Sequence, residues 1–416
     1  MFSTDGHPRA TGRNSFMAAM CMALVATSAM SAEKVLYSFQ GGSDGLAPQA
    51  GVVADDVGNL YGTTAAGGAG TDCDDGTSGC GTVYELAAGG GAESVLHTFS
   101  GGCDGALPFG GLVRDRQGNL YGTTAIGGTC NSDVGNGTVF KLSPEGVETV
   151  LYAFLGASDG SDPSGNLVRD KKGNLFGTTE AGGDMAGCGG FGCGVVFEVT
   201  PESRESVLYA FQGGTDGAHP DGGVIADDAG NLYGTANDGG NFTCINGSSG
   251  CGVVFKVTPG GAETVLYAFQ NGVDGNVPAP GLIADNSGNF YGATSSGGTG
   301  NLGTVFEVSS GGTETVLHSF QGGSDGGDPE AGVVMDRSGN LYGTTYDGGS
   351  AHCHREGCGT VFKLAPDGTE TVLYALYGKH GVQPTASLLL GKHGFLYGTT
   401  NEGGIDNNGV VFSVKE

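Results

Sequence analysis

Leu60-Tyr61-Gly62-Thr63-Thr64 occurs not once in this chain but seven times. It returns with small changes from Leu120, Leu175, Leu232, Phe290, Leu341 and Leu396, at spacings of 60, 55, 57, 58, 51 and 55 residues. A period of this length marks a repeat architecture, in which each copy is one supersecondary unit that needs its neighbours to bury its faces. The copies fill nearly all of residues 33–416, and no linker or shift of composition interrupts them, so one domain is expected there.

Around the quoted stretch, each unit carries four strand-like segments, termed a to d. In the second unit they are Gly111–Asp115, Asn119–Thr124, Thr138–Leu142 and Thr149–Phe154. β-Branched and aromatic residues fill them, and Gly, Asn, Asp and Pro lie between. Segments a and b are joined by Asp-x-x-Gly-Asn in six units, from Asp55, Asp115, Asp170, Asp227, Asp285 and Asp336. Gly supplies the positive φ that such hairpins need. The seventh unit has Gly391-Lys392-His393-Gly394 instead. Four antiparallel strands per 50–60 residues describe a propeller blade. The expected fold is all-β: a seven-bladed β-propeller of four-stranded antiparallel blades. The chain opens on a lone d segment, Val35–Phe39, and ends on a c segment, Val410–Val414. The N-terminal strand is therefore expected to close the ring and leave no exposed sheet edge between first and last blades. An open solenoid or β-helix is the rival; its usual coil is much shorter, and it would not need permuted ends.

The segments Leu-Tyr-Gly-Thr-Thr-x-x-Gly-Gly, Gly-Thr-Val-Phe-Lys-Leu and Thr-Val-Leu-Tyr-Ala-Phe, in fixed order over about 35–416, resemble the GloVer tandem repeats of exported bacterial proteins. More distantly, the Gly-Asn-Leu-Tyr strand resembles NHL-type propeller repeats. The resemblance implies an exported repeat protein, with no settled activity and no catalytic residues to carry over. Some family members bear C-terminal anchors; this chain ends on strand c, and none is expected.

Composition narrows the function. With 86 Gly but only 13 Pro and no Gly-X-Y period, the chain is not collagenous. With 38% hydrophobic and 15% charged residues it can bury a core. A net charge of -27 and scattered Lys and Arg exclude nucleic acid and anionic membrane as expected partners. Arg9 and Arg13 precede an apolar run, Phe16 to Ala29, that ends in small residues. This is a signal-peptide layout, so residues 1–32 are expected to be removed, with cleavage within 29–32, leaving a secreted, periplasmic or cell-surface protein. No second apolar stretch follows, so no transmembrane segment is expected, and a monomer is.

Ten Cys remain beyond the signal segment. Four pairs lie in the long b–c loops: Cys73 with Cys80, Cys188 with Cys193, Cys244 with Cys251, and Cys353 with Cys358. In an exported chain their spacings fit disulfides better than thiolate metal sites. Cys103 and Cys130 fall on one face of the second blade, and the fold itself pairs them. Antiparallel order puts the b–c and d–a loops on one face, where function is expected.

Candidate ligand residues are few. The d–a loops share Asp-Gly-x-x-Pro, with Asp44, Asp104, Asp159, Asp216, Asp274 and Asp325, and His380 in the seventh unit. Each Asp either caps its own turn or, if the six approach one channel mouth, shares cations such as calcium. Asp72, Asp74 and Asp75 offer further carboxylates suited to calcium, and His352 and His354 flank Cys353 as a transition-metal candidate; a solvated tip and a plain disulfide loop are the blander readings. Gly-x-Ser-x-Gly at Ser43, Ser158 and Ser324 is not a nucleophile elbow, because no helix follows and the Ser is not kept in the other units. An enzyme site should break the repeat symmetry, and in sequence only units six and seven do so, through His352, His354, His380 and His393. The expected function is therefore a non-enzymatic scaffold whose loop face binds a protein, glycan or cation, with no further cofactor; the alternative is a secreted hydrolase or lyase with its site at the channel mouth.

Overall fold

The computed structural model describes residues 33–416 apart from 69, 71–72, 74–78, 131–134, 241–243, 245–249, 350–352 and 354–356. Seven antiparallel sheets follow one another, each in the order a-b-c-d, and form the seven blades of a ring. In the first blade the strands are Val53–Ala54, Leu60–Thr64, Thr82–Leu86 and Glu93–Thr98. The last blade is assembled from both ends of the chain: Glu33–Ser38 pairs antiparallel with Val410–Lys415 and supplies the outer strand. The fifth blade carries one extra piece, Asn276–Pro278, on its b strand.

Strand a is shorter than the sequence implies. In the second blade it pairs over only Val113–Arg114. The residues ahead of it turn in to the axis, where neighbouring blades crowd: a Cβ on Gly110 would stand 2.7 Å from the carbonyl oxygen of Gly165 in the next blade. The a–b turn is tied by its Asp. Asp55 Oδ1 accepts the N–H groups of Val57, Gly58 and Asn59 at 3.0, 2.8 and 2.9 Å, and Asn59 Nδ2 donates to Oδ2 at 3.0 Å. In the seventh unit, which lacks this Asp, a short 3-10 turn over Lys392–Gly394 replaces it.

Blades are joined by one aromatic contact used over and over. The Phe that ends strand d of one blade meets edge-on the aromatic ring of strand c in the next: Phe99 with Phe140 at 5.2 Å, Phe154 with Phe197 at 5.1 Å, Phe269 with Phe306 at 5.1 Å. All six of these Phe rings are shut off from solvent. The strand c ring reaches across the Gly of Leu-Tyr-Gly-Thr-Thr, and a Cβ on Gly122 would come within 2.7 Å of Phe140. The invariant glycine is thus the floor of the inter-blade contact. The two Thr that follow act as staples. Thr64 Oγ1 bonds to Thr82 Oγ1 at 2.8 Å within its blade, while Thr63 Oγ1 donates to the Gly110 carbonyl of the next at 3.3 Å. Thr399 closes the ring the same way, donating to Ala50 O at 2.9 Å. In the fifth unit Ala293 has no hydroxyl, and Gly332 N–H donates to Pro280 O at 2.6 Å across that junction.

The closing strand buries Leu36 and Phe39, and Phe39 meets Tyr84 of the first blade at 5.1 Å. A chain starting at residue 40 therefore exposes the edge of Val410–Lys415 and loses two large apolar side chains worth about 1.5–3 kcal/mol each. The expected outcome is a fall of at least 3 kcal/mol in unfolding free energy, or aggregation, read by thermal and denaturant melts; an unchanged melt would mean that the ring does not depend on this strand.

Candidate functional site

The loop face is held by an interlock that couples each blade to the next. Immediately before strand c, every unit has a Gly against which the Pro of the following d–a loop packs; a Cβ on Gly303 would lie 2.6 Å from Pro329, and on Gly359 2.7 Å from Pro384. The residue before that Pro adopts left-handed backbone in all seven units although it is never Gly: Ala47, Leu107, Asp162, His219, Val277, Asp328 and Gln383, with φ between 51° and 58°. Such a conformation is unfavourable for these residues and persists only when its surroundings hold it. Here its N–H donates to a carbonyl of the preceding blade's b–c loop. In four units that carbonyl belongs to the second Cys of the loop: Leu107 N to Cys80 O, His219 N to Cys193 O, Val277 N to Cys251 O and Gln383 N to Cys358 O, each 3.0 Å. Disulfides join Cys73–Cys80, Cys103–Cys130, Cys188–Cys193, Cys244–Cys251 and Cys353–Cys358, with Cα separations of 4.2–5.4 Å. The crosslinks thus fix the acceptors on which the axial turns hang. Five disulfides fit an extracellular or periplasmic setting, and among the described residues no helix is long and apolar enough to cross a membrane.

The residues flanking this Pro, together with the one after strand b, surround the axis. There the repeat symmetry breaks. Blades one, two and five present mostly apolar or small groups, such as Ala47, Ala65, Phe109, Ala125, Ala279 and Val277. Blade three presents Asp162, Ser164 and Glu180; blade four His219, Asp221 and Asn237; blade six Asp328, Glu330 and Tyr346. A cavity of about 340 Å³ lies at this mouth, lined by elements of all seven blades and including Phe109, Ser164, Asn166, Glu180, Asp221 and Glu330. Asp221 Oδ2 accepts Asn237 Nδ2 at 2.9 Å, while Oδ1 is buried without a partner. Burial, opposed by the Asn237 bond and reinforced by Glu180 and Glu330, pushes its carboxyl up to about 6. Burial and the nearby Glu180 push Asp162 to about 6 as well, and Glu330 is raised by burial and by Asp347. His219 Nδ1 stands 2.9 Å from Asp238 Oδ2, and this bond raises the imidazole against the opposing effect of burial. The sequence pointed to units six and seven as the asymmetric ones; the structure adds units three and four. The signal was present in Asp162-Pro163, His219-Pro220-Asp221 and Asp328-Pro329-Glu330, but only the fold shows that these positions share one mouth.

The six d–a loop Asp do not line that cavity. Each sits at a blade junction and reaches backwards: Asp159 accepts the N–H of Leu155 at 2.9 Å and the hydroxyl of Tyr152, in the preceding outer strand, at 2.8 Å. Asp44, Asp216 and Asp274 repeat this with Tyr37, Tyr209 and Tyr267 at 2.6, 2.8 and 2.9 Å. His97 and His318 replace Tyr at Asp104 and Asp325, at 3.5 and 3.1 Å. The first residue of every strand d is Glu, and it faces the same junction; Oε1 of all seven is buried without a partner. Burial, together with Asp44, Asp159, Asp216, Asp274 or Asp325 opposite, pushes Glu93, Glu205, Glu263, Glu314 and Glu370 up to about 7. In the seventh unit His380 takes the Asp position and its Nδ1 meets Glu33 Oε2 at 2.6 Å. Asp72, Asp74, Asp75, His352 and His354 lie outside the described residues. Among the described residues no three His, Cys, Asp or Glu are grouped as metal ligands.

A ring of four-stranded blades, closed by its own N-terminal strand and bearing one asymmetric axial mouth, defines a seven-bladed β-propeller. The repeat family described as Gloeobacter/Verrucomicrobia repeat matches residues 23–189, 69–244 and 241–416, and the chain belongs to that family. No curated protein matches the sequence. Among solved structures, a gluconolactonase from Xanthomonas campestris is 13% identical, with 72% of this chain and 82% of that one covered and a TM-score of 0.40. A chain of the nidogen/laminin complex is 15% identical, covering 72% and 94%, with a TM-score of 0.42. A luciferin-regenerating enzyme is 14% identical, covering 73% and 90%, with a TM-score of 0.44. Similarity at this level does not transfer a function.

The junction Glu carboxyls bind protons in the folded ring that the unfolded chain, with Glu near 4.5, releases. Their contribution is present below about pH 4.5 and is lost as pH rises through 7. The turn carboxyls run the other way: although burial pushes Asp115 and Asp336 up, hydrogen bonds leave them below 3.8, so their contribution fades only as pH falls into that range. Melting temperature should therefore be highest near pH 4.5–5 and decline towards pH 8, and Glu205→Gln with Glu263→Gln should flatten that decline. A melting temperature that rises from pH 5 to 8 would contradict the junction geometry. Breaking Cys103–Cys130 with paired Ser substitutions should cost about 3–4 kcal/mol, and breaking a b–c loop bridge about 2–3, by the loop lengths they close; peptide mapping without reduction checks the pairing first.

Proposed function

We propose that this chain is an exported, non-enzymatic binding protein that takes its ligand at the axial mouth of the loop face. One observation carries the reading: the ring repeats its packing chemistry seven times but concentrates its exceptions at that mouth, in Asp162, Glu180, Asp221 and Glu330. A group of polar side chains around a concave site, held by a rigid frame, is the usual form of a ligand seat. Around it the same face exposes Leu155, Phe191, Val273, Tyr377 and Ile405, each between 40% and 82% accessible. These suit a protein or glycan partner larger than the cavity. The signal-peptide layout of residues 1–32 and the five disulfides support export, and a monomer is the assembly proposed.

The hydrolase or lyase reading draws on Asp162 and Asp221, whose carboxyls near 6 fall where a general acid works at neutral pH. Against it, Ser164 Oγ in the cavity wall has no hydrogen-bond partner, so no base stands beside this hydroxyl to activate it. Calcium on this face remains part of the binding proposal, supported by the net charge of -27.

Thermal melts against panels of sugars, amines, peptides and calcium, with a chelator control, test the reading. A true ligand at a hundredfold excess over Kd should raise the melting temperature by roughly 4 °C, and Asp221→Asn with Glu330→Gln should abolish the shift. Shifts that survive the double variant would move the site elsewhere, and Asp221-dependent turnover of chromogenic esters or glycosides would establish the enzyme instead.

A further inference from the structure

We propose that the axial mouth is a seat for a small organic cation, a protonated amine or guanidinium with several N–H donors. The inference rests on the mouth being the ligand site and names what the site takes. Three carboxylates, Glu180, Asp221 and Glu330, line one cavity, and among the described residues no Lys or Arg lines it. The polar atoms buried without a partner around the mouth are one-sided. Asp221 Oδ1 and the hydroxyl Ser164 Oγ belong to residues of the cavity wall, and behind the wall Asp162 Oδ1, Asn237 Oδ1 and Asn401 Oδ1 are again carbonyl or carboxylate oxygens. What the site lacks is therefore hydrogen-bond donors, and charge of the opposite sign. A buried acid left in this state is unfavourable unless something compensates it.

Geometry separates an organic cation from a metal. A bare divalent ion needs its oxygens converged on one point, at about 2.3–2.6 Å for calcium. Here the described residues hold no such group of three; the unpartnered acceptors are spread over blades three, four and seven, and the Glu330 carboxylate stands on blade six. A ligand with donors several ångströms apart reaches such a set, and a point charge does not. The cavity, about 340 Å³, is at the small end of ligand pockets and fits a molecule the size of a diamine or an amino-sugar amine. Phe109 offers an aromatic side chain in the same wall, against which an alkyl stem or a cation can rest.

Titration calorimetry at low salt with 1,5-diaminopentane, and with 1,5-pentanediol as its uncharged counterpart, tests this. The expected result is saturable binding of the diamine at one site, at least tenfold tighter than the diol. Asp221→Asn or Glu330→Gln should weaken it about tenfold, while Glu202→Gln, an exposed acid in a c–d turn, changes it less than twofold. The melting temperature without ligand should stay level or rise in Asp221→Asn, because the substitution removes a buried carboxylate that has one unpartnered oxygen while the Asn carbonyl can still accept from Asn237; a purely structural Asp221 would instead lower it. Equal binding of diol and diamine, still lost in Asp221→Asn, overturns the cation while leaving the mouth as the ligand site. Diamine binding untouched by Asp221→Asn and Glu330→Gln overturns it in favour of diffuse attraction to an acidic surface. No diamine binding at 10 mM (about the weakest affinity worth the name) also overturns it, and the sugar and peptide panel then decides whether the mouth binds anything.

Discussion

Six of the seven blade junctions in this ring depend on an edge-on contact between two aromatic rings in adjacent blades, set over a glycine, and in the seventh Leu376 takes the place of the first ring. Edge-to-face pairs of this kind stabilise beyond the area they bury. The contact fixes how far apart the blades stand and how they are rotated, because the strand c ring can lie against strand b of its own blade only where the residue opposite has no Cβ. Gly122 under Phe140, with Phe99 arriving from the preceding blade, shows all three parts. The chain has no Trp, and this Phe–Phe–Gly arrangement supplies the docking between blades.

Once blades are spaced, the loops lock. Proline packs on glycine across each junction, the residue before it is driven into left-handed backbone, and a carbonyl from the preceding b–c loop receives its N–H. The disulfides lie one step behind that carbonyl in four of the seven units. Their effect is therefore felt at the axis, some distance from the crosslink, by keeping the acceptor in place. A scaffold built this way can vary the side chains at the mouth freely, since the backbone there is held by groups that do not depend on their identity.

Acidity is divided between two places with different consequences. At the periphery each Asp faces a Glu, and the pair is eased by a phenol or imidazole and by a backbone N–H, so the charges serve the joints between blades. Orphaned carboxylate oxygens occur in both places, on the junction Glu and on Asp162 and Asp221, but at the axis they belong to single blades beside one cavity. The first set repeats around the ring; the second does not. That difference, rather than the number of acids, separates structural carboxylates from those available to a ligand.

The repeat period, the blade count, the closure by Val35–Phe39 and the local disulfide pairs were legible in the sequence, because each follows from spacing or from the order of segments along the chain. The pairing of Cys103 with Cys130 was legible too, once the fold was assumed. The placement of Asp44 and its counterparts was not: in sequence they sit just ahead of strand a, which suggests the axis, but the chain crosses from the outer edge of one blade to the inner edge of the next within that loop, and the Asp remains at the outer end. Nor was the mouth legible. Glu180, Asp221 and Glu330 are up to 150 residues apart, and no local pattern relates them; only a closed ring brings positions of equal phase in distant repeats to a common axis. The sequence by itself determined the unit and its number, through periodic burial. The tertiary structure decided which exceptions to the repeat face one another, through closure about that axis.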